Sequence, residues 1–336
     1  MNDVVLSVRN LKTSFFNGKS ELRAVDDISY DVHKGECVAI IGESGSGKSV
    51  SAMSLLRLVP NPPGEIISGQ ILLNGEDILQ MNDRELRQLR GTKISMIFQE
   101  ASTALNPVIP VGKQITETLR AHRNMNKKDA EKEAVRLLEM VKIPNPEQRA
   151  KQYPFEFSGG MQQRVMIAIA MSCAPQVLIA DEPTTALDVT MQAQILEQLN
   201  ELRREYDTAL IIITHNLGIV ARYAETVKIV YGGRIVESGT THEIFREPHH
   251  PYTLGLLRAV PRLDKPTSYG LQTIDGEPPD MSVVPRNCCA FSERCKYATD
   301  ECRTGRPELA DIGGGHMCAC FHMDKTAQER EVLLNG

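Results

Sequence analysis

The chain has 336 residues, enough for one large domain or two. Trp is absent and aromatic residues make up only 5%, so the core must be aliphatic. A formal net charge of −5 argues against a nucleic-acid partner held by bulk charge, and no stretch approaches the ~18 apolar residues of a membrane span.

The opening Met1-Asn2-Asp3-Val4-Val5 lacks a basic segment followed by an apolar one, so no secretory signal is expected. Val4, Leu6 and Val8 alternate like a half-exposed strand, as do Ile71 and Leu73, which predicts an antiparallel layer. Gly64 to Gly69 and Asn74-Gly75 read as turns. Between them, the apolar run Cys37-Val38-Ala39-Ile40-Ile41 reads as a buried strand, and Ser49 to Leu58 has helical apolar spacing. The connection is Gly42-Glu43-Ser44-Gly45-Ser46-Gly47-Lys48-Ser49, the pattern G-x-x-x-x-G-K-[ST] in the strand–loop–helix context it requires. Its glycines let successive backbone N–H groups converge on phosphate oxygens at a helix N-terminus. Lys48 is expected to reach the β- and γ-phosphates, and the Ser49 hydroxyl to hold Mg²⁺.

From Pro107 to about Pro154 the chain turns helical and polar. Ala130, Ala134, Leu137, Leu138 and Val141 share one face, Asn126 is a plausible cap and Pro144 follows the end. This predicts a helical subdomain, about 107–165, inserted into an α/β core. Ser158-Gly159-Gly160-Met161-Gln162 opens another helix through Arg164 to Met171. Val177 to Ala180 is a short buried strand, Ile195, Leu196, Leu199 and Leu202 mark an amphipathic helix, and Ala209 to Ile213 is another buried strand. Strands alternating with helices argue for a mostly parallel sheet. Tyr231-Gly232-Gly233-Arg234 reads as a hairpin turn. Asp181-Glu182 stands at the C-terminal end of its strand, the end that faces the ligand crevice of a parallel sheet. One acid there can coordinate Mg²⁺, and the second can polarise a water for in-line attack on a γ-phosphate. After Pro248 the composition shifts toward Pro, Gly, Cys and His, marking a boundary.

Taken together, these stretches resemble the ATP-binding subunit of an ABC transporter. In order, the resemblance covers the Walker A loop (42–49), a Q-loop glutamine (Gln99), the signature (158–162) and Walker B Asp181 with Glu182. A D-loop (Ala186-Leu187-Asp188) and a switch histidine (His215) follow. It implies a head-to-tail dimer in which ATP is sandwiched between the Walker A loop of one subunit and the signature of another. Ser158, Gly160 and Gln162 would then contact nucleotide. Glu182 would be the general base, His215 the γ-phosphate sensor, and Gln99 a link to Mg²⁺ and the membrane partner. Phe15, with Phe16 as its neighbouring alternative, matches the aromatic that stacks on adenine.

Further stretches are similar to the oligopeptide, dipeptide and nickel importers. These are Thr103-Ala104-Leu105-Asn106-Pro107, His250-Pro251-Tyr252-Thr253 and Ala259-Val260-Pro261-Arg262-Leu263-Asp264. This likeness implies uptake of di- or oligopeptides, with nickel or another small ligand as the alternative cargo and a soluble non-transport ABC ATPase as the competing reading. It also implies a second homologous ATPase, two permease subunits, an extracytoplasmic binding protein and a peripheral place on the cytoplasmic face of the membrane. Two departures are visible: Asn216 where Asp usually follows the switch histidine, and Glu100-Ala101 for Asp-Pro. On this reading residues 1–250 are the ATPase domain and 251–336 a C-terminal extension.

Cysteine usage is lopsided. Cys37 and Cys173 read as core, whereas Cys288, Cys289, Cys295, Cys302, Cys318 and Cys320 crowd into the tail. In a reducing cytosol such a cluster points to metal rather than disulfides. Cys289, Cys295, Cys302 and Cys320 fit neither the usual zinc nor the short ferredoxin spacing, so the residues alone leave the metal undecided. The resemblance implies a [4Fe–4S] cluster, with Zn²⁺ the alternative; Cys288 competes with Cys289, and Cys318 with Cys320.

Overall fold

The computed structural model describes residues 3–18, 20–185, 187–260, 273–284 and 286–335, with side chains to Arg330. Two expectations therefore fall partly outside the described residues: Ala186 of the D-loop, and the stretch from Pro261 to Asp264.

In chain order the first half contains β1 (Val4–Asn17), β2 (Ser20–His33), β3 (Cys37–Ile41), α1 (Lys48–Leu55), β4 (Gly64–Leu73), β5 (Glu76–Asp77), α2 (Asp83–Leu89), β6 (Ile94–Ile97), α3 (Ala101–Ala104), α4 (Val111–Arg123), α5 (Lys127–Met140) and α6 (Pro146–Arg149). The second half contains α7 (Gly159–Met171), β7 (Val177–Asp181), α8 (Val189–Tyr206), β8 (Ala209–Ile213), α9 (Leu217–Tyr223), β9 (Thr226–Tyr231), β10 (Arg234–Thr240), α10 (Thr241–Arg246), α11 (Pro251–Arg258), α12 (Asp300–Thr304), β11 (Ala310–Asp311), β12 (Met317–Cys318) and α13 (Met323–Asn335).

The chain divides into two compact units. The first comprises Met1–Leu6, Asp31–Cys37 and Leu72–Ile213. In it β6, β7 and β8 run parallel, with Ile97 opposite Ala180 and Asp181 opposite Ile213. Every residue of β7 and β8 is buried, which explains why both read as unbroken apolar runs instead of alternating ones. Of the helices α4 to α7, α5 and α7 are those read from the sequence, and α4 and α6 lie in the stretch expected to be helical. Asn126 caps α5 by accepting from the Asp129 amide at 3.0 Å, and Ala130, Ala134, Leu137 and Leu138 form its buried stripe.

The second unit comprises Ser7–Tyr30, Val38–Ile71 and Thr214–Gly336. Here β3 pairs parallel with β9, β9 antiparallel with β10, and β10 antiparallel with β12. Gly232 and Gly233, at φ +58° and +74°, make the two-residue turn of the β9–β10 hairpin, the geometry that demands positive φ at both positions. The cysteine-rich tail thus contributes a strand to a sheet of this unit: Cys318 of β12 lies opposite Glu237 of β10.

Three local expectations need correction. Gly64 to Gly69 belongs to β4 instead of a turn; Gly69 (φ +112°) is there because a Cβ would stand 2.6 Å from the Leu11 Cα. The helix after the phosphate-type loop ends at Leu55, not Leu58. Cys173 is only half-buried and accepts from Ser172, whereas Cys37 is fully buried as expected. No described helix is long and apolar enough to cross a membrane.

Candidate functional site

The loop 42–49 joins β3 to α1 and is built on close approaches. A Cβ on Gly42 would lie 2.2 Å from the Val230 carbonyl, and one on Gly47 (φ +98°) 1.9 Å from the Ala24 carbonyl. Only glycine fits either place. The Ser46 carbonyl accepts from the Gly233 amide at 3.0 Å, so the β9–β10 turn holds the loop from outside. Lys48 is the first residue of α1 and is buried. Its Nζ donates to the carbonyls of Gly42 and Glu43, both at 2.8 Å, and to Ser46 Oγ at 3.5 Å. An ammonium curled into the loop it belongs to is poised for an anion entering that loop. Ser44 and Gly45 form the exposed tip, and Ser49 is half-buried in the first turn of α1. Phe15 on β1 is half-buried against Gly64, while Phe16 is 40% exposed.

In the other unit, Asp181 ends β7 and is buried. Glu182 leaves the strand at φ +43°, a left-handed conformation that costs a non-glycine residue strain. Its amide donates to the Ile213 carbonyl at 2.9 Å, and its carboxylate Oε2 accepts from Gln99 Nε2 at 3.1 Å and Thr185 Oγ1 at 2.9 Å. The structure therefore brings together Gln99 and Glu182, which lie 83 residues apart. Ser158 is the exposed cap of α7, accepting from the Met161 amide at 3.4 Å. Gln162 donates to the Pro154 carbonyl at 2.8 Å and braces the turn before the helix, and Gly160 is buried.

His215 follows β8 and is exposed. Asn216 caps α9, its Oδ1 accepting from the amides of Gly218 and Ile219 at 3.0 and 3.4 Å. An aspartate oxygen would accept the same bonds, so this departure changes little. Ala101 is the first residue of α3, where proline is equally tolerated.

A family model described as ABC transporter matches residues 25–185, and one described as oligopeptide/dipeptide transporter, C-terminal region, matches residues 236–302. The dipeptide transport ATP-binding protein DppD of Bacillus subtilis is 47% identical over 332 residues, 99% of this chain and 98% of that protein. The chain belongs to the ABC transporter ATP-binding proteins of the oligopeptide/dipeptide type. The oligopeptide transport ATP-binding protein OppD of Escherichia coli is 47% identical over 95% of this chain and 93% of its own. The dimeric structure of a post-hydrolysis state of the ATP-binding cassette MJ0796, bound to ADP and Pi, superposes with a TM-score of 0.63 at 25% identity, covering 70% of this chain and 98% of that one.

The tail of this cassette holds a second constellation. Cys289, Cys295, Cys302 and Cys320 line one pocket together with Phe291 and Phe321. Cys288 and Cys318 do not: Cys288 is buried with its carbonyl accepting from Arg234, and Cys318 is buried in β12. Three of the four pocket sulfurs accept backbone amides: Cys289 from Phe291, Cys295 from Tyr297 and Ala298, Cys320 from His322. Such bonds favour a thiolate. Burial outweighs them, pushing Cys289 up to about 11 and Cys320 up to about 12, with the neighbouring thiols adding to the rise. Left to themselves these groups are neutral thiols. Among the described residues, no group of three or more His, Cys, Asp or Glu side chains is placed to hold a metal ion, so the cluster expected from the sequence gains no support here.

Proposed function

We propose that this cassette is the ATP-hydrolysing subunit of an importer for di- and oligopeptides. It would sit on the cytoplasmic face of the membrane beside a second homologous ATPase, two permease subunits and an extracytoplasmic binding protein. The single observation that carries this reading is the 47% identity to a dipeptide transport ATP-binding protein across 99% of the chain, C-terminal region included.

In this reading the amides of 42–49 and Lys48 cradle the triphosphate, and Phe15 stacks on adenine. Ser49, Gln99 and Asp181 would hold Mg²⁺ through oxygen, and the ion would neutralise charge on the phosphates. Glu182 takes the proton of the attacking water; its Gln99 and Thr185 hydrogen bonds hold the carboxylate in one orientation. His215 contacts the γ-phosphate. Ser158, Gly160 and Gln162, at the N-terminus of α7, complete the ATP site of the partner ATPase.

Cys289, Cys295, Cys302 and Cys320, which line one pocket, would hold an iron–sulfur cluster, with one zinc ion as the alternative. The amide bonds to three of the sulfurs suit thiolates bound to metal. Bound there, the group would supply a cross-link that orders the tail.

ATP-dependent uptake into proteoliposomes holding the assembled importer tests the reading. Labelled di- or oligopeptides are expected to accumulate; nickel accumulating in their place would overturn the cargo assignment.

A further inference from the structure

Glu43 is the second residue of the loop 42–49, and three of its groups point to three different places. Its carbonyl accepts from Lys48 Nζ within the loop. Its amide donates to Tyr252 Oη at 2.9 Å. Its carboxylate takes both arms of a guanidinium 251 residues away: Arg294 Nη1 to Oε2 at 2.6 Å and Nη2 to Oε1 at 3.1 Å. The pair is sheltered, with the Arg294 side chain 6% exposed and that of Glu43 25%. A bidentate pair of this kind fixes orientation as well as distance.

Arg294 is itself held. Its Nε donates to the Asp275 carbonyl at 2.9 Å, and its guanidinium lies 5.8 Å from the Tyr231 ring centroid and 6.0 Å from that of Phe291. Tyr231, Tyr252 and Phe291 pack on one another with centroids 4.6 to 5.5 Å apart. Phe291 and Arg294 both belong to the segment between the pocket thiols Cys289 and Cys295. The segment that carries two of those thiols therefore also sets the guanidinium against the loop.

We propose that Arg294 is a positioning residue of the nucleotide site, and that the C-terminal extension is through it a working part of that site. The inference rests on reading 42–49 as the phosphate cradle. Arg294 does two things there. It fixes the backbone at Glu43, whose carbonyl orients Lys48. It also neutralises a carboxylate that would otherwise stand bare beside the incoming triphosphate and repel it. The second effect gives the proposal a signed signature, because a bare carboxylate harms anion binding and its removal should repair the harm.

The test is a double-mutant cycle on Mg²⁺–ATP affinity of the full-length chain, titrated with a fluorescent ATP analogue, with melting temperatures taken without nucleotide. Arg294→Met is expected to weaken binding about tenfold, the equivalent of ~1.4 kcal/mol. Glu43→Gln alone closes the cycle, and Glu43→Gln in the Arg294→Met background should restore most of the loss, since replacing both partners leaves no uncompensated charge. Arg294→Lys, which keeps the charge and loses the fork, should fall between. If Arg294→Met does not fold, the same cycle run with Arg294→Lys carries the test, with Glu43→Gln relieving the smaller loss. Affinity unchanged by the Arg294 substitution, or losses that simply add, would overturn the proposal. Wild-type chain that fails to bind ATP, or binds it equally well as Lys48→Ala, would instead sink the underlying reading of the loop.

Discussion

Gly45 and Gly47 belong to the same loop and both have positive φ, yet the structure treats them differently. Around a Cβ on Gly45 (φ +79°) nothing lies within 4 Å; on Gly47 the Ala24 carbonyl blocks it at 1.9 Å. Gly45→Ala should therefore cost only the conformational penalty, about 1–2 kcal/mol. Gly47→Ala must displace the backbone of the loop or of its neighbour, and is expected to abolish ATP binding even where the protein still folds. Equilibrium unfolding and nucleotide titration of the two variants check this; equal behaviour would contradict it. Glu182 is the converse case, a non-glycine residue at φ +43° whose carboxylate accepts from Gln99 and Thr185. The sequence pattern named both positions, since a short motif records which residues a backbone shape or a reaction demands. It gave no sign of Arg294 on Glu43: a pair 251 residues apart leaves no periodicity behind.

At the scale of elements, α5, α7 and α8 were legible from helical apolar spacing, and β3, β7 and β8 from short unbroken apolar runs, which suit strands buried on both faces. The long strand β2 was not. Asp26, Asp27 and Asp31 interrupt its alternation, and Asp26 is tolerated there because Arg234 takes its carboxylate, with Nε at 2.8 Å. Gly64 and Gly69 likewise looked like turn residues and proved to be places where backbone or ring approaches a strand too closely for a Cβ. The His250-Pro251-Tyr252 stretch is the start of α11. Pro251 takes the first helical position, and His250 Nδ1 accepts from the Tyr252 amide at 3.1 Å. Burial holds the His250 imidazole down, at about 4 against an ordinary 6.5, with Glu237 pulling weakly the other way. The unfolded chain thus takes up a proton below 6.5 that the folded chain refuses until about 4. Stability must therefore fall as pH drops through that window. Between pH 7 and 5 this site alone should cost on the order of 2 kcal/mol. His250→Asn, which keeps a capping acceptor and cannot titrate, should lose less by that amount in urea unfolding; parallel losses in both proteins would contradict the assignment.

For the whole molecule, an aliphatic core and a net charge of −5 left the fold class readable and the partners undetermined. The residues assigned to ATP chemistry are shared between the two compact units: the loop 42–49 and His215 in one, Gln99, Ser158 and Asp181-Glu182 in the other. The crowding of cysteines in the tail was legible but its place in a sheet was not, because β11 and β12 are two residues long and carry no pattern. Its cysteines divide into four on the pocket and two off it. Anaerobically purified protein should accordingly contain about four iron and four acid-labile sulfide per chain. Cys302→Ser or Cys320→Ser should lower both, and Cys318→Ser neither. Zinc alone, or loss with Cys318→Ser, would contradict the assignment.

The central claim is that this chain's ATP hydrolysis drives peptide entry, and it is tested most directly by measuring both at once. In proteoliposomes holding the assembled importer, peptide-loaded binding protein should raise ATP turnover and peptide uptake together. Glu182→Gln in this chain should abolish both while leaving ATP bound. Uptake that continues undiminished with Glu182→Gln would contradict the account.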